Sequence, residues 1–390
     1  MSQYNSRCYS VPEEIISDIL LRLSVKSLLR FRCVSQSWKS LIHCPIFTKL
    51  HLQRSPKNTN FLLVEIDVDP ALVLSYSLHS LMKEAIPFNA QSLGFGKDLT
   101  ECYCVNGSIN GLSCVSSIVY HMKYKVFNVR LWNPATRLIS AASPPLFVKR
   151  ECESIVKFGL GYDDSTNTYK VVANIIDPRQ WKNELRIYSR AGDTCWRTVS
   201  TSPDLLLSWE EGQFVSNTFN WLAVCPRGPI DRQRIELFEY TYDDYVIFSL
   251  HVEKETHKLL RMPVDLDRSK RQEPKLVVLR DHLCVFHDFK GTHVVVSQLE
   301  EFGVEDSWTI IMKFSYISLQ IDACSCSFGD YSQFNMSEDG NYLLIYNERD
   351  SILLVYDQRV KEVSKCINLC NNNHRWVGVN GYVQSLVSPQ

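Results

Sequence analysis

The residues best placed by type to do chemistry are the pairs Cys102 and Cys104, Cys324 and Cys326, and Asp163 and Asp164. Paired thiolates can ligate a soft metal, and paired carboxylates can flank a glycosidic bond or hold calcium. The spacing argues against each. Neither C-x-C pair has the C-x2-C or H-x3–5-H company of structural zinc, and strand alternation puts both members on one face, as core positions also require. Adjacent side chains on a strand or turn point apart, so Asp163 and Asp164 read as hairpin-turn residues within GYDDSTN. His282 and His287, five apart, face opposite sides of a strand, and the Lys290-Gly291 turn separates His293 from both. The chain has no G-x-S-x-G, no Gly-Lys-Ser/Thr phosphate loop, no H-E-x-x-H and no G-x-G-x-x-G; Gly94-Phe95-Gly96 reads as a turn. No catalytic residue, metal ligand or cofactor-binding residue is assigned, and no cofactor is expected.

The elements that would have to position such groups fall into two textures. At 390 residues and 45% hydrophobic the chain exceeds a single core, which predicts a small unit over residues 8–54 and a large one over 55–390. The fold class expected is α+β multidomain, an all-α N-terminal module followed by an all-β propeller-like body of about six blades. No run approaches the roughly 18 apolar residues a membrane helix needs, and MSQYNSRCYS has no apolar leader core. A soluble, unsecreted protein of the cytoplasm or nucleus is expected, without membrane contact. Its fourteen cysteines then read as reduced and largely buried.

In the first unit, Ser10 and Glu13 have capping-box spacing, with Pro12 in the first turn, so a helix is predicted to start here. Ile15, Ile16, Ile19, Leu20 and Leu23 recur at helical spacing, with Glu14, Asp18 and Arg22 off that face. Ser24 can end this helix and cap the next. Leu28, Leu29, Phe31, Val34, Trp38, Leu41 and Ile42 continue the apolar set until Pro45 stops it. So small a unit cannot bury all of these, which predicts a partner.

This segment resembles an F-box, on Pro12-Glu13, the spacing of Ile16, Ile19 and Leu23, Val25-Lys26-Ser27-Leu28, Arg30, Cys33-Val34, Ser37-Trp38 and Leu41-Ile42. Val11 stands where leucine is usual, and Ser24 where proline is common. The resemblance implies docking to a Skp-type linker through Pro12, Glu13, Ile16, Ile19, Leu20, Leu23, Leu28, Val34 and Trp38. Charge agrees: residues 1–55 carry eight Lys or Arg against three acids, net +5, leaving −6 on the rest. A basic module suits an acidic partner. Nucleic acid is not expected, since the cations are spread around amphipathic helices without a zinc site or recognition motif.

Beyond residue 55, short runs of β-branched and aromatic residues alternate with turn formers, and strands are predicted at NFLLVEI, GLSCVSSIVY, YKVVANII, FNWLAV, HLCVFHD and NYLLIYN. Their spacing is blade-sized. A second strand pair follows most of them, as in RLWNPATRLIS, where Asn133 and Pro134 set a turn and Trp132 packs between blades. A ligand site at Asn133 and Arg137 is the rival reading. Six four-stranded units would form a β-propeller, closed by GYVQSLVSP pairing within the first blade.

LWNPATR, GLGYDDSTNTYKVV, IYSRAGDTCWR, FNWLAV, LVVLRDHLCVF and YVQSLVSP resemble the F-box-associated domain of plant F-box proteins, with Leu160 at a place often aromatic. Kelch Gly-Gly doublets and Trp-Asp pairs are lacking. The resemblance implies a non-catalytic substrate-recognition subunit of an SCF-type ubiquitin ligase, joined through the linker to a cullin-RING core and gripping a target protein. Three connections could bind it: 176–183, 226–234 and 267–275, with Trp181, Arg227, Arg232 and Arg234 as candidate contacts. The alternatives are a lectin-like propeller stacking glycans on Trp181, Trp209 or Trp376, and a pollen self-incompatibility determinant of the same architecture. A propeller oxidase or sialidase would instead need a funnel of clustered Arg, Tyr and Glu.

Overall fold

The computed structural model describes residues 11–389 except 55–58, 66–71, 84–101, 151–153, 178, 180–181, 191, 201–204, 226–241, 265–272, 290–291, 320–330 and 370–375. Four helices come first: α1 (Glu13–Leu21), α2 (Val25–Phe31), α3 (Gln36–His43) and α4 (Pro45–Arg54). Serine spacing sets two of the starts. The Ser24 and Ser35 hydroxyls accept the backbone N–H groups of Ser27 (3.3 Å) and Trp38 (3.1 Å), satisfying donors that a helix N-terminus leaves unpaired. One expectation is corrected. Pro12 is the N-cap of α1 with no side-chain cap, and the Ser10 of the expected capping box lies outside the described residues. The apolar run does stop before Pro45, with α3 ending at His43, but Pro45 also opens α4, because a ring without an N–H fits the first helical position.

The rest forms six antiparallel sheets arranged as the blades of a β-propeller. Each of the six apolar runs lies on its own blade: Thr59–Glu65, Leu112–Tyr120, Thr168–Asp177, Thr218–Val224, His282–Phe289 and Tyr342–Asn347. Each is second from the axis. The innermost strands, Trp376–Val383, Cys102–Ile109, Ile155–Asp163, Gln213–Val215, Lys275–Leu279 and Tyr331–Met336, touch in a closed cycle around a channel of about 1450 Å³. The four-strand expectation holds for blades 3, 5 and 6. Blade 1 shows three described strands, followed by the helix α5 (Leu78–Lys83), while blades 2 and 4 each carry an extra short strand.

Both faces of a blade are covered by its neighbours, which is why the second strands read as unbroken apolar runs instead of alternating. Separate buried clusters fill each interface. Trp132 packs with Leu62, Val73, Val115 and Tyr382 between blades 1 and 2, as its position in WNPATR predicts. Phe158 and Leu160 serve blades 2 and 3, Trp221 and Phe248 blades 3 and 4, and Phe286, Phe314 and Phe334 blades 5 and 6. Of the described cysteines only Cys114 and Cys284 are buried, so the expectation of largely buried thiols fails for Cys33, Cys104, Cys195, Cys225 and Cys366.

The ring is closed by chain ends. Trp376–Val383 pairs antiparallel with Thr59–Glu65, from Thr59 opposite Val383 to Glu65 opposite Trp376. The closing strand therefore starts earlier than GYVQSLVSP and ends within it. Residues 384–389 leave the ladder and cross blade 2, where Asn133 Nδ2 donates to the carbonyls of Ser385 (3.1 Å) and Val387 (2.7 Å). Gly111 makes room: at φ +80°, a Cβ there would stand 2.6 Å from the Val383 oxygen. Leu386 then enters the core of the helices with Leu20, Leu28 and Ile42, and Ala135 packs against it. The helices thus sit on the face holding each blade's first-to-second and third-to-fourth turns, the near face. The second-to-third turns and the blade-to-blade crossings lie on the far face.

Removal of residues 381–390 is expected to strip three rungs from the closing ladder, leave backbone groups unpaired and empty Leu386 from the helical core. Light scattering and thermal melting would register this as aggregation and a lower midpoint, whereas an unchanged midpoint contradicts the closure.

Candidate functional site

The helical module has a core too small for its apolar residues. Leu20, Leu21, Val25, Leu28, Ile42 and Phe47 fill it, with Ile16, Leu23, Phe31, Trp38 and Leu41 half-buried around them. Its seams are polar: Asp18 accepts from Arg22 (2.9 Å) and from Arg54 of α4 (2.9 Å), and buried His51 meets the Leu23 carbonyl (2.8 Å). The Arg22 and Arg54 guanidiniums hold the Asp18 carboxyl below its ordinary range. Apolar side chains nevertheless remain uncovered. Ile15 and Ile19, one turn apart on α1, are 51% and 53% exposed, Val34 between α2 and α3 is 62% exposed, and Val11, Ile46 and Leu50 are also exposed.

Of the nine residues expected to meet a partner, Ile19 and Val34 are thus exposed, as are Pro12 and Glu13, while Ile16, Leu23 and Trp38 are half-buried. Leu20 and Leu28 are fully buried, so they support the surface from beneath. Ile15, whose helical spacing is legible, was not among the nine.

The residues in the body with chemical potential are occupied by structure. Asn133 Oδ1 accepts from the backbone of Ala135 (2.9 Å) and Thr136 (3.1 Å), while its amide holds the C-terminal segment, which leaves no ligand capacity there. Asp163 is buried, accepts from Ser165 and Thr166, and lies 2.9 Å from Lys170 Nζ, which also donates to Val252 O of blade 4 (2.7 Å). Burial alone would raise that carboxyl, but the bonds from Ser165, Lys170 and Thr166 hold it well below the carboxylate range. Asp164 is exposed. His287 is buried beside Tyr242 between blades 4 and 5, whereas His282 and His293 start successive strands at opposite ends of blade 5. Of the C-x-C cysteines, Cys102 and Cys104 lie on the inner strand of blade 2 and Cys324 and Cys326 lie outside the described residues.

The three connections expected to bind a target join second to third strands (176–183 and 226–234) or blade 4 to blade 5 (267–275), so all leave the blades at the far face. Trp181, Arg227, Arg232 and Arg234 lie outside the described residues. Trp209 is half-exposed on this side, and Trp376 belongs to the closing strand. Sequence reading did not single out the acids nearby. Glu210, Glu211 and Glu348 line the channel, and Glu273 adjoins it. Burial pushes the Glu211 carboxyl up to about 7; Lys157 opposes this, and Glu210 and Glu348 add to it. Burial and then Glu210 also raise Glu273, against Lys275. Among the described residues, the channel lining includes no arginine.

The described residues thus place a helical module with exposed apolar side chains on one face of a six-bladed propeller. Residues 9–50 match the F-box domain and residues 113–389 the F-box associated beta propeller domain, and the chain belongs to this family of F-box proteins. It is 29% identical over 314 residues to an F-box/kelch-repeat protein of Arabidopsis thaliana, covering 78% of this chain and 79% of that protein. It is 27% identical over 331 residues to the F-box protein CPR1 of the same plant, covering 77% and 72%.

The raised Glu211 predicts a pH dependence. Its proton is held more tightly in the folded chain than in the unfolded one, so between about pH 4.5 and 7 the folded state carries more protons and stability falls as pH rises. Glu211→Gln is expected to flatten this slope and to stabilise the protein at pH 8 relative to wild type, by on the order of 3 kcal/mol. Denaturant midpoints of both proteins at pH 5 and pH 8 check it; equal slopes contradict it.

Proposed function

We propose that the protein is the substrate receptor of an SCF-type ubiquitin ligase, docking to a Skp-type linker through its helices and holding a target protein at the far face of the propeller. The observation that carries this reading is the exposure of Ile15, Ile19 and Val34 on a module whose own core is already filled by Leu20, Leu28 and Ile42. Ile15 and Ile19 stand one turn apart on α1, and uncovered apolar surface of this kind marks an interaction site. The net charge of +5 around it suits an acidic linker. In this role the protein supplies no reacting group; the rate of ubiquitin transfer comes from holding the target near an enzyme elsewhere in the complex. On this reading Trp181, Arg227, Arg232 and Arg234 are the candidate target contacts.

Ile15→Asp with Ile19→Asp places charge where an apolar contact is proposed and costs several kcal/mol there. Leu23 is left intact because it supports the helical core. Both mutated positions are exposed, so the melting midpoint is expected to stay near wild type. Co-precipitation of a Skp-type protein is expected to disappear, and with it modification of any captured target in a reconstituted ligase. Wild-type capture by a folded double variant overturns the docking role.

A further inference from the structure

The far end of blade 2 carries an uncovered apolar ridge. Its second and third strands, Leu112–Tyr120 and Tyr124–Asn133, are joined there by the turn 121–123, and the short strand Leu146–Lys149 pairs with the start of the third. Tyr124 stands opposite Lys149 and Val126 opposite Phe147. Opposed residues of an antiparallel ladder share a face, and alternation carries that face from Val126 back to Tyr124, so Tyr124, Phe147 and Lys149 lie on one side of the blade. The Tyr124 and Phe147 rings meet edge to face with centroids 6.1 Å apart. Tyr120, opposite Lys125, belongs to the other side, where the Arg150 guanidinium lies over its ring at 6.0 Å. Met122, in the turn between them, is 95% exposed, more than any other large apolar side chain among the described residues. Tyr120, Tyr124 and Phe147 are themselves 57%, 40% and 54% exposed. Single exposed apolar residues are ordinary, but a cluster of four at one blade tip marks an interaction surface.

The charge around this ridge has one sign. From Cys102 to Arg150 the sequence has six Lys or Arg and no Asp or Glu, in a chain whose 42 basic and 43 acidic residues otherwise balance. Glu101 and Glu151, which bound the run, lie outside the described residues. Lys123, Lys149 and Arg150 are exposed beside the apolar groups, and Lys125 donates to the Ser154 carbonyl (2.8 Å). A second copy of the chain fits poorly, because a two-fold contact would set the same cations against one another. A nucleic-acid backbone is held by several cations at once, about 6–10 in tight complexes. Here Lys125 is already bonded and Arg150 donates to the His121 carbonyl (3.4 Å), while the crest itself is apolar. An acidic polypeptide answers both features, since its carboxylates meet the lysines and its apolar side chains cover the ridge. Methionine and aromatic residues are enriched at the cores of such interfaces, and methionine adapts its shape to the partner.

We propose that this ridge grips the target, taking an acidic segment whose aliphatic or aromatic side chains cover Met122 and Phe147 while its carboxylates pair with Lys123 and Lys149. The proposal rests on the receptor reading above. The test uses the full chain and a short blocked fluorescent peptide in which glutamate alternates with leucine and phenylalanine, followed by anisotropy. One twin carries glutamine for glutamate, and another carries alanine for the apolar residues. The parent peptide is expected to bind at least about tenfold more tightly than either twin, to weaken as salt is raised, and to shift the Met122 methyl resonance. Met122→Ser with Phe147→Ser should remove binding, and Lys123→Glu with Lys149→Glu should abolish the preference for glutamate over glutamine. All four positions are exposed, so melting and linker capture are expected to stay near wild type. Equal binding of parent and twins, no binding of any, or undiminished binding by both variants overturns the proposal. Tighter binding of a single-stranded RNA oligonucleotide or of anionic vesicles at this ridge overturns it as well. Failure of the peptide with linker capture intact condemns the ridge alone; ridge-dependent binding in a protein that captures no linker condemns the receptor reading alone.

Discussion

One stretch of backbone, residues 376–387, holds the molecule together twice. As a strand it pairs with Thr59–Glu65 and joins the last blade to the first, so that no blade keeps an uncovered face. Beyond the strand, Asn133 fixes it to blade 2 and Leu386 plugs the helical module. A propeller needs this closure more than most folds. Each blade is apolar on both sides, and opening one interface would expose two faces and a strand edge together. The clusters between blades are consequently interdependent, and ring stability passes through the segment that also seats the helices.

That seating gives the two ends of the protein a defined relation. The helices are held on the near face by Leu386 and by Ala135, which sits in a turn of blade 2. α4 contributes Lys49, Leu52 and Gln53 to the channel lining. On the proposed reading, a target held at the far face stands about one propeller thickness from the linker, in a geometry set by packed side chains and not by a flexible tether. Proximity is effective only when orientation is restricted. The exposed apolar residues of α1 and the carboxylates Glu210, Glu211 and Glu348 of the channel lining also differ in chemistry.

The fold was legible where physics is local. The 3.6-residue spacing of Ile15, Ile19 and Leu23 identified α1, and Ser24 identified the next cap, because helix periodicity and capping depend on neighbours in sequence. The six apolar runs identified one strand per blade, since strands covered on both faces carry no polar alternation to confuse them. Asn133 was legible as a turn former, yet its second task, holding Ser385 and Val387, depends on a partner some 250 residues away. Leu20 and Leu28 were assigned to docking because sequence shows only that a helix face is apolar, not whether its own module already covers it. Glu210 and Glu211 were missed for a related reason: they stand in the bulge between Leu206–Leu207 and Gln213–Val215 at the inner edge of blade 4, and no periodicity marks a bulge. Pro45 was legible as the stop of one helix but not as the start of α4, because proline both ends one helix and begins another.

The central claim is that the helical strip alone meets the linker, while the propeller's far face stays open for a target. Amide hydrogen exchange of the full chain, with and without a saturating Skp-type protein, tests this directly. Protection is expected in α1 and around Val34, with exchange unchanged along 205–224 and 273–279. Protection of those far-face segments by the linker, or none in α1, would contradict it.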